Sequence, residues 1–164
     1  MSASATRNAL VDMSNSLARV MAIVNRTPDS FYDKGATFAI EKAAQRADEV
    51  IAAGASIVDV GGVKAGPGDE VDVDEEIDRV VPLIAEVRAR HPEVSISVDT
   101  WRASVAEAAI DAGADLINDT WAGWDPELVE VAGRHAVGYV CLLYTSDAAD
   151  ERYSAAHPPA PRAF

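Results

Sequence analysis

The sequence predicts an α/β fold of parallel strands, on three observations. Short apolar runs alternate strictly with helical stretches, and the links between them are short. One segment also returns after 59 residues: Ala53-Gly54-Ala55-Ser56-Ile57-Val58-Asp59 is echoed by Ala112-Gly113-Ala114-Asp115-Leu116-Ile117-Asn118. Strict alternation implies helical crossovers between parallel strands. A repeat spanning two βα units favours a (β/α) barrel over an open sheet, with a doubly wound sheet still compatible. No G-x-G-x-x-G follows the first strand, which weakens a dinucleotide reading.

The elements follow in order. Val20 to Val24 is a continuous apolar run, as expected of a strand buried on both faces. A polar loop with Pro28 and Gly35 comes next. Ile40, Ala43, Ala44, Ala47, Val50 and Ile51 then recur at helical spacing, and Gly54 sits where a helix-terminating glycine belongs. Ile57 to Val60 is a second strand, entering the loop Gly61 to Gly68. A second helix spans Asp74 to Arg90. Its apolar stripe is Ile77, Val80, Val81, Ile84 and Val87, and Asp74, Glu75 and Glu76 lie at its positive end. Val94 to Val98 is a third strand, ending at Asp99. A third helix carries Val105, Ala108, Ala109 and Ala112 and stops at Gly113. Leu116-Ile117 is a fourth strand, ending at Asn118. A short helix runs from Pro126 to Ala132, and Val137 to Cys141 is the fifth strand.

The chain has 164 residues, with 27 acids against 14 bases and a formal charge of −13. That balance argues against nucleic acid, which needs clustered Lys and Arg, and against an anionic membrane surface. No apolar run is long enough to span a bilayer, and the polar N-terminus has no signal-peptide core. A single cysteine, Cys141, excludes an internal disulfide and a multi-cysteine zinc site, so a reducing cytoplasm is the expected compartment. Cys141 itself reads as a small buried apolar residue. His91, His135 and His157 show no metal-ligand spacing. Seven acids in the ten residues from Asp69 to Asp78 lack the turn glycine of a calcium loop and read as an acidic approach to a helix.

In a barrel, chemistry collects where strands end. Four strand ends carry a polar residue: Asn25, Asp59, Asp99 and Asn118. One such residue is ordinarily a satisfied hydrogen bonder. Four on one edge read as a site, with Asp59 the weakest member because Val60 continues its strand.

The segments around these residues resemble a known family. Val24-Asn25-Arg26-Thr27-Pro28-Asp29-Ser30-Phe31-Tyr32-Asp33 is similar to the V-N-V-T-P-D-S-F-S-D-G-G signature of dihydropteroate synthases. Asp59-Val60-Gly61-Gly62 with Pro67-Gly68 matches the family's D-V-G-G-E-S-T-R-P-G frame. Ser97-Val98-Asp99-Thr100 matches its S-V-D-T, and Ile117-Asn118-Asp119 its I-N-D. The resemblance covers Met21 to Cys141.

The resemblance implies a (β/α)8 TIM barrel of which this chain holds the first five strands, an incomplete barrel. It implies a transferase of folate biosynthesis, joining 7,8-dihydropterin-6-ylmethyl diphosphate to p-aminobenzoate with Mg²⁺ and releasing pyrophosphate. The family is usually dimeric, so a homodimer is expected of the full-length form. On the matched positions, Asn25 becomes the metal residue, and Asp99 and Asn118 the pterin-binding pair. Asp29, Ser30, Phe31 and Asp33 lie on the loop that folds over the second substrate. No catalytic nucleophile or base is implied. Asp119 reads better as a cap of the following turn, and Trp121 and Trp124 either line the site or pack.

The chain departs from the family in the second loop. Where the family has Glu-Ser-Thr-Arg, this sequence has Val63, Lys64, Ala65 and Gly66. Ala65 lacks the hydroxyl, and a lysine lacks the planar fork of the missing arginine. These changes suggest a divergent branch. The alternatives to a synthase are a non-catalytic pterin-binding homologue and a pterin-binding domain serving methyl transfer. A full barrel takes about 250 residues, so five strands alone are expected to be inactive. The expected division is a disordered lead over residues 1–16, a partial pterin-binding barrel over 17–141, and a tail over 142–164 that is disordered or foreign to the barrel. Pro158, Pro159 and Pro161 oppose regular structure there.

Overall fold

The computed structural model describes residues 19–25, 36–63, 71–121 and 123–142, with the backbone alone for 36–38. The expected lead lies outside them, as does the tail beyond Leu142. Among the described residues five strands alternate with four helices: β1 (Met21–Asn25), α1 (Ala36–Ala52), β2 (Ile57–Gly61), α2 (Val73–Arg90), β3 (Ser95–Asp99), α3 (Ala103–Asp111), β4 (Leu116–Asp119), α4 (Glu127–His135) and β5 (Gly138–Cys141).

All neighbouring strands are parallel and their order is β1-β2-β3-β4-β5. This order decides between the two sheets left open by the sequence. A doubly wound sheet reverses its strand order at a switch point, whereas sequential order with right-handed crossovers puts every helix on one face. The arrangement is the first five strands of a barrel wall.

Strand residues alternate between the two faces. The row Val24, Val60, Val98 and Ile117 is in register and buried beneath the helices. It packs with Ala43, Ala44 and Ala47 of α1, Val80, Leu83, Ile84 and Val87 of α2, Val105 and Ala109 of α3, and Leu128 and Val131 of α4. The other face is different. Ile23 is 64% exposed and Val140 40%, so β1 is not buried on both faces as its apolar run suggested. The buried stripe of α2 is also turned from the expected one: Glu76 and Leu83 are fully buried, while Ile77 and Val81 are only partly so. Helix α2 continues through Pro82, despite the lost N–H.

The internal repeat has a physical cause. After α1 and after α3, the chain turns through glycines at φ 104° and 116°, Gly54 and Gly113. In both turns the glycine N–H bonds three residues back, and the next alanine five back. Gly54 reaches Ile51 and Ala55 reaches Val50, while Gly113 reaches Ile110 and Ala114 reaches Ala109. A left-handed glycine closing orphan helix carbonyls in this way is the Schellman arrangement, and it feeds the next strand directly.

The edge of the sheet where strands begin is tied by Arg88. Its guanidinium donates to the carbonyl oxygens of Gly113 (2.9 and 3.2 Å), Pro92 (2.8 Å) and Val94 (2.8 Å), and pairs with Asp115. The Asp115 carboxylate in turn accepts from Ile96 N at 3.0 Å.

Candidate functional site

The strand-end row opposite the helices is Asn25, Gly61, Asp99 and Asn118, one residue from each of β1 to β4, in register. Two residues earlier on the same face lie Ile23, Asp59, Ser97 and Leu116. Three residues singled out from the sequence, Asn25, Asp99 and Asn118, therefore share one rung, and Asp59 sits directly beneath it.

Side chains weave across this face. Asn118 Nδ2 donates to Asp59 Oδ2 at 3.1 Å, passing over β3. Thr120 Oγ1 donates to Asp99 Oδ1 at 3.1 Å. Gly61 makes room between Asn25 and Asp99. A Cβ there would stand 2.6 Å from Asn25 Oδ1 and 3.6 Å from Asp99 Cβ. Asp59 is only 2% exposed, and its Oδ1, like Ser97 Oγ, is buried without a hydrogen bond of good geometry.

The electrostatics follow from this crowding. Burial pushes the Asp99 carboxyl up to about 6. The negative Asp59 adds to the rise, the Thr120 hydroxyl opposes it, and Glu76 and Asp119 contribute further charge repulsion. Burial likewise raises Asp59, against the lowering influence of Ser97 and Asn118. The face is a floor of oxygen acceptors. It suits a neutral ligand whose edge presents adjacent N–H donors.

A second network stands behind the floor. Glu76 of α2 accepts from Thr100 Oγ1 at 2.7 Å and from Arg102 Nη1 at 2.6 Å. Arg102 also reaches Val71 O at 2.7 Å, and Arg79 reaches Gly62 O at 2.8 Å. Arg102 thus ties the far end of the β2–α2 loop to the end of β3, and Arg79 ties its near end to α2. Arg102 lies 4.6 Å over the Trp101 ring, which packs on Trp121 with centroids 4.4 Å apart. Trp121 is thus a packing residue, and Trp124 is partly exposed.

Asp119 faces the helix side and does cap the following turn. It accepts from Trp121 N (2.8 Å), Gly123 N (2.7 Å) and Tyr139 Oη (2.6 Å). Cys141 is half-buried rather than buried, with Sγ 3.8 Å from the same carboxylate. Val63 follows Gly62 at the end of β2, whereas Lys64, Ala65 and Gly66 lie outside the described residues, as do Asp29, Ser30, Phe31 and Asp33. Thr120 was missed from the sequence, although its place two residues beyond Asn118, just past the end of β4, was a usable signal.

Residues 21–158 match a family model described as pterin binding enzyme. The chain belongs to that family. Its alignment lies with the N-terminal part of dihydropteroate synthases. It is 61% identical over 124 residues to inactive dihydropteroate synthase 2 of Mycobacterium bovis, covering 76% of this chain and 39% of that protein. It is 42% identical over 127 residues to dihydropteroate synthase of Streptococcus pyogenes, covering 76% and 47%. The solved synthase of Xanthomonas albilineans in complex with 7,8-dihydropteroate superposes with a TM-score of 0.64 at 37% identity, over 74% of this chain and 44% of that one. The chain spans less than half the length of these relatives. The pterin-binding family match runs past Leu142, beyond the boundary drawn from the sequence. Leu142 N still extends the β4–β5 ladder, bonding Asp119 O at 3.0 Å. Among the described residues no helix is long and apolar enough to cross a membrane.

Proposed function

We propose that this chain forms the pterin-recognising part of a divergent dihydropteroate synthase-like barrel that binds a reduced pterin without efficiently condensing it. The observation that carries this reading is the rung of Asp99 and Asn118, with Asp59 and Thr120 bonded to it. A pterin carries a ring N–H beside an exocyclic amino group. An ionised Asp99 accepts from such an edge, and the buried setting strengthens each bond. The altered loop of Val63, Lys64, Ala65 and Gly66, and a relative at 61% identity named inactive, both favour binding over turnover.

The second reading is the complete transferase, favoured by the Thr27-Pro28-Asp29-Ser30-Phe31 loop. There, p-aminobenzoate attacks the methylene carbon of the pterin diphosphate and pyrophosphate departs. The chain's own residues hold and orient the pterin, and no protein nucleophile is called for. Asn25 fits a place beside Mg²⁺ in one respect. Its amide oxygen lies in the space a Cβ at Gly61 would fill, at an exposed strand end, and supplies one hard oxygen donor. Among the described residues no cluster of three or more His, Cys, Asp or Glu side chains is placed to hold a metal ion. A Mg²⁺ at Asn25 would therefore draw its other ligands from phosphate and water, as this ion commonly does, and would neutralise the departing oxygens. The family resemblance carries the further proposal of a cytoplasmic homodimer for the full-length form.

The test is a titration of the purified chain with 6-hydroxymethyl-7,8-dihydropterin by calorimetry. It is followed by an assay with the pterin diphosphate, p-aminobenzoate and Mg²⁺. Saturable binding that weakens about tenfold in Asp99→Asn supports pterin recognition, and absence of product from a full-length barrel carrying this segment supports binding over turnover. Formation of dihydropteroate replaces it with the transferase. Absence of pterin binding overturns both.

A further inference from the structure

We infer that Asp59 is a specificity-determining residue: by holding Nδ2 of Asn118, it fixes that amide so that its oxygen, not its nitrogen, is offered to the ligand. This deepens the pterin reading above and rests on it. Asp59 lies on β2 and Asn118 on β4, and their bond of 3.1 Å crosses the whole width of β3 on the face opposite the helices. The contact is therefore not a neighbourly one between adjacent strands. It exists because Asp59 sits one rung below Asn118, with Ser97, a small residue, between them in register.

An asparagine amide offers a donor at one end and an acceptor at the other, and its two rotamers differ little in shape. What sets the choice is the partner. An ionised carboxylate only accepts, so it takes the Nδ2 end and leaves Oδ1 outward. The neighbouring Asp99 has Oδ1 occupied by Thr120, and its Oδ2 is left to accept. Together they present two acceptors in a row. A 2-amino pteridine meets that row with adjacent N–H donors. A 2-oxo pteridine, otherwise of the same size, brings an oxygen against an acceptor and leaves buried lone pairs facing each other, a mismatch that costs more than a missing bond.

Asp59→Asn is isosteric but removes this dictation. The new amide can donate to Asn118 Oδ1 as readily as accept from Nδ2, so Asn118 is free to turn over. The experiment measures binding of 6-hydroxymethylpterin and 6-hydroxymethyllumazine to the wild-type chain and to Asp59→Asn, at mildly alkaline pH. The wild type is expected to prefer the 2-amino ligand, and the variant to lose about tenfold of that preference. A merely structural Asp59 would weaken both ligands alike, and an unchanged ratio overturns the inference. If the wild type binds neither pteridine, the pterin reading fails. The Asn118 orientation is then judged alone by NMR of the ligand-free chain. An Asn118 side-chain amide proton shifted downfield and slowed in exchange, and released in Asp59→Asn, supports the fixed amide. The same amide resonances in both proteins would refute it.

Discussion

Thr120 donates its hydroxyl to Oδ1 of Asp99 at 3.1 Å, from the turn just past the neighbouring strand β4 and two residues beyond Asn118. The bond favours the charged carboxylate, yet burial and the negative Asp59 outweigh it, and Asp99 stands at about 6. A carboxyl raised above its ordinary value of 3.8 is better tolerated protonated. As pH rises, the unfolded chain releases this proton first. The site's contribution is therefore full below the ordinary carboxylate range, falls as pH rises through about 6, and stays lost above it. Asp99→Asn keeps the shape and removes the charge. Thermal melts are expected to show a gain of roughly 5 °C at neutral pH and little change near pH 4. An equal shift at both pH values would contradict this.

Gly61 and Gly62 are adjacent, but their side-chain space differs in kind. A Cβ at Gly61 would meet the end of the Asn25 side chain, which can swing away, whereas at Gly62 it would stand 2.9 Å from Val80 Cγ1 and 3.3 Å from the Glu76 carbonyl oxygen. Gly61→Ala is expected to cost less than about 1 kcal/mol, and Gly62→Ala about 1–3 kcal/mol. Urea denaturation of the two variants checks the order, and a reversed order would show that the Asn25 position is rigid.

Glu76 and Arg102 form an ion pair whose carboxylate is wholly buried and whose guanidinium is mostly so. Arg102→Ala leaves that carboxylate without its cation and is expected to destabilise by about 3 kcal/mol. Glu76→Gln in the same background relieves part of the loss, so the double variant costs less than the two singles added. Strict additivity in denaturation midpoints would show that the two side chains act independently.

Asp119 gathers backbone donors from the β4–α4 turn and a side-chain donor from β5. Burial, and the nearby carboxylate, hold the Tyr139 phenol well above its ordinary value. Tyr139→Phe removes one bond and is expected to cost about 1 kcal/mol, while Asp119→Ala orphans several donors and costs about 3 kcal/mol. In Asp119→Ala the phenol should also ionise at lower pH, seen by ultraviolet titration. A phenol that titrates unchanged would mean that burial alone sets its value.

Much of the fold was legible because it rests on local signals. Apolar runs, helical spacing and the paired Ala-Gly-Ala turns are each contained within a few residues, and they placed the nine elements of the described residues to within a few residues. The site row was legible for a related reason: Asn25, Asp99 and Asn118 each break an apolar strand at its end. What escaped is long-range. Glu76 was read as one member of an acidic approach to a helix, because its partners, Thr100 and Arg102, lie just past the end of the next strand. Its spacing to Val80, Leu83 and Val87 on the buried side of α2 was the available clue. Ile23 misled in the other direction. Hydrophobicity alone does not say which face of a strand a helix will cover.

Arg88 lies at the opposite end of the sheet from all of this chemistry, where it stitches the carbonyls of Pro92, Val94 and Gly113 and the carboxylate of Asp115 into one knot. None of those atoms belongs to the loops that follow the strands. The wall is therefore moored at one rim and written on at the other. Substitutions such as those from Val63 to Gly66 can accumulate in the inscription while the mooring holds, so a lineage can exchange or abandon its chemistry without first having to invent a new scaffold.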